Sequence, residues 1–410
     1  MIEETIKDYR QQKALRKKLD EGSMSRKLSL KSLYYCGRKV NFSFPGVAVA
    51  VNKNDAQFFG TATCKSPWCC PNCTARQMAK YATDIAVAID ALKKQNQFAA
   101  MITFTIPHTS DFSCLESTEI LYNTWKAFTV HGNKVLASAK NDVFSNFAAA
   151  FNHKHRIRVA EYTYGNHGWH PHFHTLFWFP AEKFQDILQW EERLKARWYE
   201  IAKRETVKQL MKRYPSKYFS KDELKDLKKK TQKRIEIMYS KLDENSHGVF
   251  ISKKDDKVIR QESSNYICGW GANREITGNY QEKATAEGHF TWQQILKLAV
   301  DYDEAHPKEK QENKWWTLYF EYALATRKFR HARINFSVHS GLKQIIADYK
   351  KTEAYKTFLK KNSTNMVQKN GCWKILCWFT PSQWLEICSQ NLQEQILFVY
   401  FVYMIQCLSF

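Results

Sequence analysis

The chain has 410 residues, 44% of them hydrophobic, and a formal net charge of +22 at pH 7 from 63 Lys and Arg against 41 Asp and Glu. A balance this positive makes a polyanion the expected partner and argues against an enzyme of small neutral substrates, which would have no use for the charge. Eleven cysteines are too few for a secreted disulfide scaffold of this length, and the charged N-terminal segment does not read as a signal peptide, so a reducing cytoplasm is expected. The apolar run from Ile396 to Ile405 is about half the ~20 residues of a membrane span, so no membrane is expected.

Residues 1–30 read as a basic N-terminal helix, broken at Gly22-Ser23 and too polar for a core of its own. Residues 31–80 hold five cysteines: Cys36, Cys64, Cys69, Cys70 and Cys73. The two-residue gap in Cys70-Pro71-Asn72-Cys73 suits a zinc knuckle, and Cys36 and Cys64 complete a structural Zn²⁺ tetrahedron, with Cys69 spare or substituting. Such a site would clamp a loop-rich region. The plainer reading is a set of unrelated buried thiols; a redox pair would need a βαβ setting that is not visible here.

From Phe98 to Phe179 the pattern runs strand, helix over Ser117 to Lys140, strand, turn, strand, which is α+β ordering around an antiparallel sheet. The turn Gly165-Asn166-His167-Gly168 joins two strand-like runs into a hairpin. With the turn centred between Asn166 and His167, Glu161 falls opposite His172 and Val159 opposite His174. His172 and His174 share a strand face, being two apart. Two imidazoles and a carboxylate with open positions suit a divalent ion such as Mg²⁺ or Mn²⁺ that must also hold a phosphate or water. A lone histidine on a sheet is more often a hydrogen-bonded structural residue; it is the clustering that favours a ligand set. His170 has the same parity but sits before Pro171, where the strand begins.

Residues 181–245 read as a helical insertion dense in Lys, Arg and Glu, with a break near Tyr214-Pro215-Ser216. Gly248 to Ser252 supplies a further strand. Residues 290–410 look helical, including a helix over Gln344 to Phe358, and form a C-terminal domain after a core spanning 81–289.

Trp169-His170-Pro171-His172-Phe173-His174 resembles the metal motif of the HUH endonuclease superfamily, specifically the rolling-circle replication initiators of plasmids. Met101-Ile102-Thr103-Phe104-Thr105-Ile106-Pro107 resembles the first motif of that family. Glu262-Ser263-Ser264-Asn265-Tyr266-Ile267-Cys268-Gly269 resembles its third. The likeness runs from about Cys36 to Leu342. It implies an RRM-like or ferredoxin-like antiparallel core and a metal-dependent nickase of single-stranded or extruded origin DNA in the bacterial cytoplasm. Tyr266 would be the nucleophile, leaving a 5′-phosphotyrosine, and Glu262, on the same helix face at i−4, would activate water to release the enzyme. Host helicase and polymerase are the implied partners, and a homodimer is compatible with the family. Many members carry a lysine where Gly269 stands; Lys253, Lys254 or Arg274 is the candidate replacement for its charge. The rival from another class is a non-catalytic zinc-containing DNA-binding regulator, which would not need Glu262 and Tyr266 beside a metal site.

Overall fold

A computed structural model describes residues 2–21, 30–52, 55–66, 68–129, 143–152, 155–215, 218–240, 248–254, 256–258, 289–307, 312–329, 334–336, 341–361, 374–390, 392–393, 395–397 and 399. Near the N-terminus, Val47–Asn52 (β1) and Asp55–Phe59 (β2) form a hairpin. The main sheet uses Gln97–Thr105 (β3), Arg156–Gly165 (β4), Gly168–Pro180 (β5) and Val249–Ile251 (β6). A small hairpin, Lys253–Lys254 (β7) with Lys257–Val258 (β8), follows, and Ile334–Phe336 (β9) returns to the main sheet. Its order is β6-β3-β5-β4-β9, antiparallel throughout. Lys374–Phe379 (β10) pairs with β1, giving a second sheet of order β10-β1-β2. The fold is therefore mixed α+β built on antiparallel sheets.

The hairpin register is the one the turn chemistry predicts: Gly165 pairs with Gly168, Glu161 with His172 and Val159 with His174. Gly168 has φ +86°, and a Cβ there would lie 3.0 Å from the Ser110 backbone, so the left-handed, side-chain-free position suits glycine.

Period-two alternation divides β5 between two cores. Leu176 and Trp178 face the helix Pro71–Lys93, which buries Ile85, Ala88, Ile89 and Leu92 at i, i+3, i+4 and i+7 against them. Phe173, Phe177 and Phe179 face the other way, into an aromatic layer from the helices Cys114–Thr129, Val143–Ala150 and Glu191–Met211. Phe104 sits centrally in that layer, its ring 5.0 Å from Trp198 and 5.1 Å from Trp125. Phe104→Ala should therefore cost about 3–5 kcal/mol, read as a lower denaturant midpoint at unchanged slope.

The insertion is a helical hairpin, Glu191–Met211 and Lys221–Ser240, with the break where Pro215 falls. Elsewhere the structure corrects the sequence reading. The region after 290 is not all helix, because β9 edges the main sheet beside β4 and β10 completes the second sheet. The helix expected over Gln344 to Phe358 is two, Leu342–Tyr349 and Glu353–Lys361, the second begun by Thr352 Oγ1 accepting the Tyr355 N–H at 3.3 Å. Of the helix expected over Ser117 to Lys140, the part up to Thr129 is helical, within Cys114–Thr129, and the rest lies outside the described residues. Among the described residues no helix is long and apolar enough to cross a membrane.

Candidate metal centres

Among the described residues, two groups of metal-capable side chains converge: Glu161 with His172 and His174, and Cys36 with Cys64, Cys70 and Cys73. The first lies on the face of β4 and β5 that also carries Val159, Leu176 and Trp178, toward the hairpin turn. Both histidines are buried, at 8% and 7% exposure. Glu161 Oε2 is 3.1 Å from His172 Nε2 and 2.9 Å from His174 Nε2, and the two Nε2 atoms are 3.1 Å apart. Cis ligands at about 2.1 Å from a six-coordinate ion stand about 3.0 Å apart, so these three atoms match one face of such a coordination shell.

Second-layer contacts support that use. Thr103, opposite His174 in register, places Oγ1 2.9 Å from His174 Nδ1. In the tautomer where Nδ1–H donates to Thr103, Nε2 keeps its lone pair for an ion. Burial presses the His174 imidazole below its ordinary value, outweighing the hydrogen bond and charge of Glu161, which keeps it neutral. Burial alone would raise the Glu161 carboxyl, but the imidazoles of His172 and His174 beside it hold it well below the usual carboxylate range. Three donors ready to give lone pairs within one small volume fit a divalent cation.

His170 falls outside this set. It stacks on His108, ring centroids 4.4 Å apart, and its own ring is 5.1 Å from that of His172. Thr103 and His108 were missed in the sequence reading. Thr103 was recoverable by pairing β3 against β5, since alternate residues of Thr103-Phe104-Thr105 then fall opposite His174 and His172. Glu262 and Tyr266 lie outside the described residues, as do Gly269 and Arg274. Lys253, offered as a replacement cation, is paired with Glu191 at 3.2 Å.

The thiol cluster is assembled from three pieces: the end of the Lys31–Tyr34 helical turn, the loop after β2, and the start of the Pro71–Lys93 helix, where Cys70 is the N-cap. Cys70 Sγ is 3.4 Å from Cys36 Sγ, and Cys73 Sγ is 3.5 Å from Cys36 Sγ and 3.6 Å from Cys64 Sγ. Four sulfurs held at about 2.3 Å by one ion stand about 3.8 Å apart, so the cluster has close to the size of a Zn²⁺ tetrahedron. Hydrogen bonds from Cys36, Cys64 and Cys70 pull the Cys73 thiol far down, while burial pushes Cys70 up. Cys69 stands apart: its thiol contacts Ser66 Oγ at 3.2 Å and its carbonyl accepts the Tyr319 hydroxyl. Cys114 and Cys388 are buried and are not among the four clustered thiols.

Comparison with protein-family models, with curated proteins and with solved structures finds no match to this chain.

Proposed function

We propose that the protein nicks and rejoins single-stranded origin DNA to start rolling-circle replication. The observation that carries this reading is the convergence of His172, His174 and Glu161 on one face of an antiparallel sheet, in a chain of net charge +22. The strand order supports it: taken in chain order, β3, β4, β5 and β6 stand 4-1-3-2 across the sheet, the order of a ferredoxin-like or RRM-like core.

A divalent ion such as Mg²⁺ or Mn²⁺ held by His172, His174 and Glu161 would supply Lewis acidity toward a phosphate oxygen. The chain's own groups do the rest. Thr103 fixes the His174 ring, and the buried His172 and His174 bring their Nε2 atoms together beside Glu161 Oε2. Tyr266 Oη attacks the scissile phosphorus; the Oη–P bond forms, the P–O3′ bond breaks, the phenolic proton is lost and the leaving oxygen becomes a 3′-hydroxyl that can prime synthesis. Glu262 then takes a proton from the water that hydrolyses the phosphotyrosine and frees the enzyme. Zn²⁺ in the four-thiolate site would serve structure alone.

The test uses a labelled single-stranded origin oligonucleotide with Mg²⁺ or Mn²⁺ under single-turnover conditions. Wild type should form a covalent 5′-linked adduct, Tyr266→Phe should form none, and Glu262→Ala should accumulate it. An adduct in the tyrosine variant would move the nucleophile elsewhere, and absence of adduct from wild type with binding intact would leave a DNA-binding protein without this chemistry.

A further inference from the structure

The N-terminal helix Ile2–Asp20 sets Lys13, Arg16 and Lys17 on one face through spacings of three and four. That face lines a cleft of about 520 Å³, closed on other sides by Arg38, by Val300 and Asp303 of the helix Trp292–Ala305, and by Ser389. Two of the acids along the cleft are already engaged, Glu304 by Arg10 and Asp303 by Lys18 at 3.4 Å. Among the described residues, Lys13, Arg16, Lys17 and Arg38 have no carboxylate partner.

Arg16 is the buried centre of this group, only 5% exposed. Its Nη2 donates to the Cys36 carbonyl at 2.7 Å, while its Nε–H is buried without an acceptor. Gly37, at φ +74°, lies against the same guanidinium: a Cβ there would stand 3.2 Å from Nη2. At the rim, Arg38 lies 4.8 Å over the Tyr34 ring, which meets the exposed Tyr35 edge-on at 4.9 Å.

The geometry points to a second site for single-stranded DNA, in which Lys13, Arg16, Lys17 and Arg38 hold the phosphate backbone and the exposed Tyr35, with Lys39 4.4 Å over one face of its ring, offers its other face to a base. A linear polyanion is the fitting occupant because the cations run along a helix and out to aromatic rings; they do not close around one point. Four zinc-bound thiolates would carry surplus negative charge, and Arg16 beside Cys36 would offset part of it. Lys13 and Lys17 are exposed on the helix, so they carry the test. The inference rests on DNA being the substrate, but its measurement needs no nicking.

The experiment compares full-length wild type with Lys13→Ala/Lys17→Ala by fluorescence anisotropy, using a labelled oligothymidine of about 16 nucleotides without added divalent ion. Losing two phosphate contacts should flatten the plot of log affinity against log salt by about 1.4 and weaken binding roughly tenfold at 0.1 M salt. Zinc content by elemental analysis should stay as in wild type, and Tyr35→Ala should weaken binding roughly tenfold with the salt slope unchanged. An unaltered slope and affinity in the lysine variant would overturn the proposal. So would inorganic triphosphate binding as tightly as the oligonucleotide, which would mark a small-polyphosphate site, or stronger competition by anionic vesicles, which would mark a membrane surface. Normal nicking with unchanged lysine-variant binding would remove the cleft and keep the nickase; a lysine-variant defect in a protein that never nicks would do the reverse.

Discussion

On the proposed mechanism, His172→Ala and His174→Ala should each abolish origin nicking, lowering the single-turnover rate by about 10³ or more, while affinity for the oligonucleotide should stay within about twofold of wild type. The size follows from the role: polarising a phosphoryl oxygen is worth several kcal/mol of barrier, and about 4 kcal/mol is a thousandfold in rate. Binding is spared because affinity for a polynucleotide comes chiefly from phosphate contacts to Lys and Arg, of which the chain has 63. Glu161→Ala should follow the histidines, and Thr103→Val should raise the metal concentration needed with a smaller loss at saturation, since it removes only the partner of His174 Nδ1. Acidification works in the same direction. His174 is neutral at pH 7 because burial lowers its pKa, so protons compete with the ion only as the pH falls below the ordinary imidazole range, and the metal requirement should rise there. Nicking that survives both histidine substitutions at ordinary metal concentrations would remove the site from the mechanism.

Cys70→Ser or Cys73→Ser should unravel the region around the N-terminal helix and the β1-β2 hairpin. Structural zinc in small domains contributes on the order of 10–16 kcal/mol, comparable to the whole stability of an ordinary domain. Here the cluster is also where several elements meet. Gln12 Nε2 donates to Leu33 O at 3.1 Å, Arg16 donates to Cys36 O, and Tyr319 from the helix Lys314–Lys328 reaches Cys69. Elemental analysis should find about one zinc per chain that persists when Mg²⁺ is removed. Limited proteolysis should cut near the N-terminus of the cysteine variants at protease levels that leave wild type intact. A fully folded, zinc-free protein would refute this.

The β4-β5 hairpin and its ligand face could be read from the sequence because the information is local. A glycine turn sets the register, and with a period of two that register alone decides which of Glu161, His172 and His174 share a face. The four thiols were readable from spacing and residue type. β9 and β10 were not, because Ile334–Phe336 and Lys374–Phe379 are short and stand among helices; whether such a run becomes a strand depends on a distant edge being free to receive it. The cleft around Arg16 was illegible for the same reason, since its cations come from the first helix and from the Gly37-Arg38 turn and only the fold brings them together.

The pairing of β1 with β10 sets a schedule for making the protein. Val47 pairs in register with Phe379, so a ribosome releases one strand of that sheet on the order of tens of seconds before the other exists. Through that interval the β1-β2 hairpin presents an open, apolar edge of the kind that recruits the wrong neighbour. Nascent chains are therefore most exposed to mispairing before β10 emerges, and a chain halted short of Lys374 keeps that edge indefinitely. Such truncated products should be the ones found with chaperones or in aggregates.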